Sequence, residues 1–97
     1  MGGDLCFDWD SHNISHLALH NIRPDEAEQA LASDLVDLDY NVTPDGEQRW
    51  TALGQTFAGR VLVIVWTLLE DGCYRTVTAY PATKGLEAVY FRLTKGE

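Results

Sequence analysis

Cysteine, basic residues and long apolar runs are all scarce in this 97-residue chain, and each scarcity removes a class of function. Its two cysteines, Cys6 and Cys73, stand in no metal-ligand spacing, so a thiolate zinc site is not expected. The longest apolar run, Val61 to Trp66, is the length of a strand and far short of the roughly 18 residues needed to cross a bilayer. Met1-Gly2-Gly3-Asp4 offers no basic region followed by an apolar stretch, as a secretory signal would. The expectation is therefore a cytoplasmic protein without a membrane association, its two thiols reduced. Seven basic residues face fifteen acidic ones, a net charge of −8, which denies the chain the overall positive field of most nucleic-acid binders.

The charge is unevenly spread. Residues 1–47 hold eleven acids and one base, Arg23, whereas residues 48–97 hold six bases and four acids. Such asymmetry points to two surfaces with different partners: an acidic half suited to a basic protein, and a second half that tolerates phosphate locally. One domain is expected over residues 1–97, with no repeats, low-complexity segments or linkers.

Leu5, Phe7 and Trp9 alternate with Cys6 and Asp8 and predict a short extra strand at the N-terminus. Asp10 is placed to cap a first helix whose apolar face is Ile14, Leu17 and Ala18, and Asn21 suits a left-handed end. A second helix starts at Pro24, with Ile22 packing on Ala27, and runs to about Ser33. Val36, Leu38 and Tyr40 then alternate with Asp37 and Asp39, which predicts a strand with one wet face. Thr43-Pro44-Asp45-Gly46 is a turn, a strand follows from about Glu47 to Gly54, and Val61–Trp66 reads as a central strand covered on both faces. Asp71-Gly72 predicts a two-residue hairpin before a last strand from Cys73 to Tyr80, stopped by Pro81. Thr83 caps a final helix with Leu86, Val89, Tyr90 and Leu93 at helical spacing. The fold class is α+β: two N-terminal helices, a four-stranded antiparallel sheet and a C-terminal helix packed on it.

His12, His16 and His20 recur every four residues along the first helix. Such a pair can chelate a metal, but the intervening residues carry no carboxylate and no third ligand is evident, so neither a metal nor a cofactor is expected. There is no serine nucleophile elbow, phosphate-cradling glycine loop or paired catalytic carboxylate. What remains is an electropositive cluster. The hairpins as read place Arg75 opposite Leu68 and Arg49 opposite Trp66, two residues apart on one sheet face. Cleaving RNA through its own 2′-hydroxyl needs a base, an acid and cations for the phosphorane, and no metal.

The chain from Phe7 to about Arg92 resembles the BrnT family, small toxins of the RelE-like ribonuclease superfamily from bacterial toxin–antitoxin pairs. The resemblance rests on Phe7-Asp8-Trp9-Asp10 with Asn13, His16 and His20-Asn21-Ile22, and on Pro24-Asp25-Glu26-Ala27. It continues through Arg49-Trp50-Thr51-Ala52-Leu53-Gly54, Gly59-Arg60-Val61-Leu62-Val63 and Arg75-Thr76-Val77-Thr78-Ala79-Tyr80-Pro81-Ala82-Thr83. It implies a RelE-like fold, metal-independent RNA cleavage, and a neighbouring small antitoxin of ribbon-helix-helix type. Arg49, Arg75, Tyr80 and His20 would be the catalytic residues, and Arg60 and Lys84 would bind substrate. Tyr80 stands where members commonly carry Arg, and would serve as a proton-transfer group, as tyrosine does in RelE-like enzymes. Period two puts it on the opposite strand face from Arg75 unless a bulge intervenes. The alternative reading is a non-catalytic relative that binds a protein partner through the same fold.

Overall fold

Three hairpins closed in the same way build the sheet. The computed structural model describes residues 5–95. Two helices, α1 (Ser11–Ala18) and α2 (Pro24–Leu31), precede strands β1 (Val36–Val42), β2 (Gln48–Gln55), β3 (Val61–Leu68) and β4 (Tyr74–Pro81), and α3 (Lys84–Thr94) follows. The loops Pro44-Asp45-Gly46, Phe57-Ala58-Gly59 and Glu70-Asp71-Gly72 each end in a glycine with φ near +90° (94°, 97° and 87°). In each, that glycine N–H donates to the residue three back: Thr43, Thr56 or Leu69. This is the three-residue hairpin, in which a turn is followed by one left-handed residue that glycine adopts without strain. The two-residue turn expected at Asp71-Gly72 is thus corrected to a three-residue loop that pairs Leu69 with Cys73.

The sheet is antiparallel in the order β1-β2-β3-β4, so β3 is internal, as its unbroken apolar run predicts. Its alternate residues serve two cores. Leu62, Ile64 and Trp66 pack with Leu17, Ile22, Ala27, Ala30 and Leu31 under α1 and α2. Val61 and Val63 pack with Leu53 and Tyr90 under α3. In α3 the buried face turns toward Phe91, which packs on that second cluster, and Leu93 is left 59% exposed.

Two β-bulges change which side chains share a face. The register between β1 and β2 shifts at Leu38, setting Asp37 opposite Ala52 and Asp39 opposite Thr51. The expected common face of Asp37 and Asp39 is lost, and β1 is exposed along most of its length. The second bulge, at Val77, separates Trp66↔Thr76 from Val65↔Thr78.

Helix α1 docks against the β4 edge through one polar residue. The Asp10 carboxylate accepts from the His12 and Asn13 N–H groups, and the Asn13 Oδ1 accepts from the Asp10 N–H at 2.9 Å. The Asn13 amide then donates to the carbonyls of Asp8 (3.0 Å) and Thr76 (3.2 Å), the latter beside the bulge. The buried face of α1 is therefore Asn13 and Leu17, while Ile14 is 39% exposed and Ala18 is exposed, which corrects the expected apolar stripe. The N-terminal strand shrinks to a single parallel bridge between Phe7 and Tyr74. That bridge carries Cys6 alongside Cys73, with Cα atoms 4.6 Å apart, and the two form a disulfide. The expected reduced thiols are corrected: alignment along the β4 edge brings them within bonding geometry.

On the α2 side, Glu26 is buried and accepts from the Arg23 N–H at 3.0 Å and from the Arg60 guanidinium at 2.9 Å. Burial alone pushes its pKa up, but the Arg23 N–H and Arg60 outweigh this and hold it below the ordinary value. A lowered carboxylate pKa gives stability that is present above the unfolded value and lost as pH falls through the folded one.

Two predictions follow from these contacts. Asn13→Ala leaves two carbonyls and one N–H unpartnered and is expected to cost about 3 kcal/mol in urea unfolding; a cost near zero would show the docking is unimportant. Glu26→Gln is expected to cost about 2 kcal/mol at neutral pH. That gap should narrow as the pH drops below the ordinary glutamate value of 4.5, as paired melting curves would show. A gap constant with pH contradicts the ion-pair account.

Candidate active site

Both hairpin registers move by one residue from expectation, and the result draws Arg49 and Arg75 together. Trp50, not Arg49, pairs with Trp66, and that register continued by one residue sets Arg49 across from Thr67, with which it lines one cavity. Arg75 pairs with Thr67 rather than Leu68. The two arginines thus flank one residue from the strands on either side, and side chains opposite one another in an antiparallel pair share a face. A cavity of about 220 Å³ opens there, lined by Glu47, Arg49, Thr67, Arg75, Thr76 and Val77 of the sheet region and by His12, Asn13 and His16 of α1. It is smaller than the 300–1,000 Å³ or so of a drug-sized pocket.

Neither arginine swings freely. The Arg49 Nε donates to Glu47 Oε1 at 2.7 Å, which orients the guanidinium while its Nη atoms have no hydrogen-bond partner among the described residues. The Arg75 Nη1 donates to Asp8 Oδ2 at 2.7 Å and lies 3.1 Å from Asp10 Oδ2. Asp10, then Asp8, raise the Arg75 pKa by these hydrogen bonds. In return Arg75, then the Asn13 N–H, lower that of Asp10. Asp10 thus performs two tasks, capping α1 and holding Arg75.

The histidines form a row along α1. Ring centroids are 6.5 Å apart for His12–His16 and 6.4 Å for His16–His20, and His20 lies 5.9 Å from the Tyr80 ring. The bulge at Val77 resolves the face of Tyr80: it pairs with Val63 and Arg75 with Thr67, four residues apart on β3 and therefore on one face. Four strand residues span about 13 Å. Tyr80 and His20 accordingly meet each other at the far end of the row, outside the cavity that holds Arg49 and Arg75. Arg60 is elsewhere, bonded to Glu26 and to the Asn21 carbonyl on the α2 side. Lys84 is exposed at the first position of α3.

His12, His16, Glu47 and Thr76 are cavity residues that sequence reasoning did not assign to the site. The signal for the histidines was their spacing, which was weighed only as a metal chelate. Among the described residues no three His, Cys, Asp or Glu side chains gather as a metal-binding set. Thr76 lines the cavity at 1% exposure, and its Oγ1 has no hydrogen-bond partner among the described residues.

Among the described residues no helix is long and apolar enough to cross a membrane. No curated protein matches the chain. Residues 9–85 do match a family, described as the ribonuclease toxin BrnT of type II toxin–antitoxin systems. The matched span starts at Trp9 and ends at Gly85, taking in α1, α2, the whole sheet and every residue lining the cavity. The chain therefore belongs to the BrnT family, as a ribonuclease toxin of a type II toxin–antitoxin system with an RNA target and an antitoxin partner.

Proposed function

We propose that the RNA is cleaved in the cavity between α1, β2 and β4, without a metal ion, and that Arg49 and Arg75 hold the scissile phosphate. The observation that carries this reading is the placement of two oriented guanidiniums on either side of Thr67, facing imidazoles from α1. Attack by a 2′-hydroxyl builds negative charge on the phosphoryl oxygens, and fixed donors aimed at that charge lower the barrier without rearranging as it forms. Arg49 has its Nη donors available for this, and its link to Glu47 through Nε holds the fork in place. Arg75, tied to Asp8 and Asp10, anchors the phosphate from the other side. Tyr80 and His20, further along the same face, are assigned to the neighbouring nucleotide of the strand, where a phenol ring and an imidazole offer stacking and hydrogen bonds. Arg60 is left to the fold by its bond to Glu26, and Lys84 to the outer margin of the RNA path.

The antitoxin is inferred to be a small basic protein of ribbon-helix-helix type, acting with the toxin in the cytoplasm. The surplus of ten negative charges in residues 1–47 supports a basic partner.

Purified protein incubated with single-stranded and structured RNA in EDTA is expected to cleave, and Arg49→Ala to cut at a rate lower by about 100- to 1,000-fold, the usual cost of removing one such donor. Its melting temperature should stay near that of the wild type, because Arg49 is half-exposed and its ion pair is with a neighbour two residues away. Wild-type protein that leaves every RNA intact in EDTA, or an Arg49→Ala protein that cuts equally well, would overturn the assignment. A purely protein-binding role predicts the first of these results, together with normal growth on induction.

A further inference from the structure

Two imidazoles line the cavity. His12 and His16 lie one turn apart on the same face of α1, at the spacing that makes helix side chains neighbours. Both line the cavity that contains Arg49 and Arg75, and their ring centroids are 6.5 Å apart.

We propose that His12 and His16 are the acid–base pair of RNA cleavage, one neutral and one protonated at the start of each turnover. The proposal rests on the ribonuclease reading above and adds to it the groups that move the protons. The neutral imidazole takes the proton of a ribose 2′-hydroxyl, and the 2′-oxygen forms a bond to phosphorus. The bond from phosphorus to the 5′-oxygen breaks, and the protonated imidazole gives its proton to that departing oxygen. The products are a 2′,3′-cyclic phosphate and a 5′-hydroxyl end. One proton leaves the RNA and one returns, so neither water nor any redox partner enters the step. Two groups that each reach an oxygen on opposite sides of a phosphoryl centre, at about 3 Å, stand roughly 6 Å or more apart, as these rings do. His20 and Tyr80 touch each other at the other end of the row and lie outside the cavity.

The charges around the pair give it a second consequence. Sharing the cavity with His12 and His16 are Glu47 and Arg49 of the β2 side and Arg75 of β4, while Asp8 and Asp10 ahead of α1 hold Arg75 and His20 is the next imidazole on the helix. Two guanidiniums are met by three carboxylates, so the one protonated imidazole of the pair brings this group of charges to neutrality. The protonated partner therefore supplies the leaving-group proton and keeps the site from being net negative as charge builds on the phosphoryl oxygens in the transition state.

The test compares wild type, His12→Gln and His16→Gln on two substrates in EDTA: a dinucleotide, and a nucleoside 3′-(p-nitrophenyl phosphate) whose leaving group needs no proton. Wild-type kcat on the dinucleotide should fall on both sides of the pH range in which imidazole titrates. Each variant should lose about 100- to 1,000-fold in kcat on the dinucleotide, with KM little changed, and should lose one limb of the pH profile. One variant should return to within about tenfold of wild type on the activated ester, which identifies the acid, and the other should not. Both residues are exposed, so unchanged melting curves are expected and show that the variants are folded. A variant that keeps its kcat, a loss confined to KM, or a two-limbed profile in both variants overturns the proposal while leaving the ribonuclease reading intact. A wild-type profile without two limbs overturns it even if a variant fails to fold. Wild-type protein inert on both substrates overturns both readings.

Discussion

One buried amide holds the candidate site together. Asn13 spends its full donor capacity on two carbonyls, and its oxygen takes the N–H of Asp10. One of those carbonyls belongs to Thr76, at the bulge in β4. The helix is thus joined to the sheet at the point where the strand ladder is irregular. An α-helix is rigid over two turns, so fixing Asn13 also fixes the directions of His12 and His16 beside it. The same bulge brings Tyr80 to the face of Arg75. The amide thus fixes the helix that carries the imidazoles, and the bulge sets Tyr80 on the face beside them.

Electrostatically the protein is economical with positive charge. An acidic chain cannot draw RNA by its overall field, and the two arginines of the cavity are each aimed by a carboxylate. Aiming has a cost in attraction, because the carboxylates cancel much of the charge that they orient. It also limits where an anion is welcome, since the rest of the surface repels phosphate. The acidic half that repels RNA is at the same time the part with most to offer a basic protein.

The architecture was largely legible in the residues. The unbroken run from Val61 to Trp66 marked an internal strand, Pro24 and Asp10 marked helix starts, and the glycines marked turns. The register was less so. The Asp71-Gly72 pair matches both a two-residue and a three-residue hairpin, and only the hydrogen bonds from Leu69 to Cys73 decide between them. Bulges at Leu38 and Val77 leave no trace in the alternation pattern, because both segments still read as strands. For the site, Arg49 and Arg75 were recognisable as a pair on one face, whereas His12 and His16 were seen as metal-type spacing with no ligand to complete it. Their partners come from strands more than thirty residues away in sequence. The burial of Asn13 in place of Ile14 was not readable at all, since a polar residue enters the core only when tertiary contacts supply its hydrogen bonds.

The Cys6–Cys73 bond turns most of the molecule into a ring. Sixty-seven residues separate the two sulfurs along the chain, and α1, α2, β1, β2 and β3 all lie inside the closed loop. Strand β4 and helix α3 lie outside it. In chain-entropy terms a ring of that size removes about 4 kcal/mol of denatured-state freedom from the enclosed elements. It does nothing to stop the outer arm from peeling away. The molecule thus has a cyclised body and a linear arm, and the restraint that the bond imposes weakens along the arm with distance from Cys73. Arg75 sits two residues past the knot, at the part of the arm that the ring restrains most, and Tyr80 sits further out along it. The two ends of the active-site face therefore differ in tether as well as in chemistry.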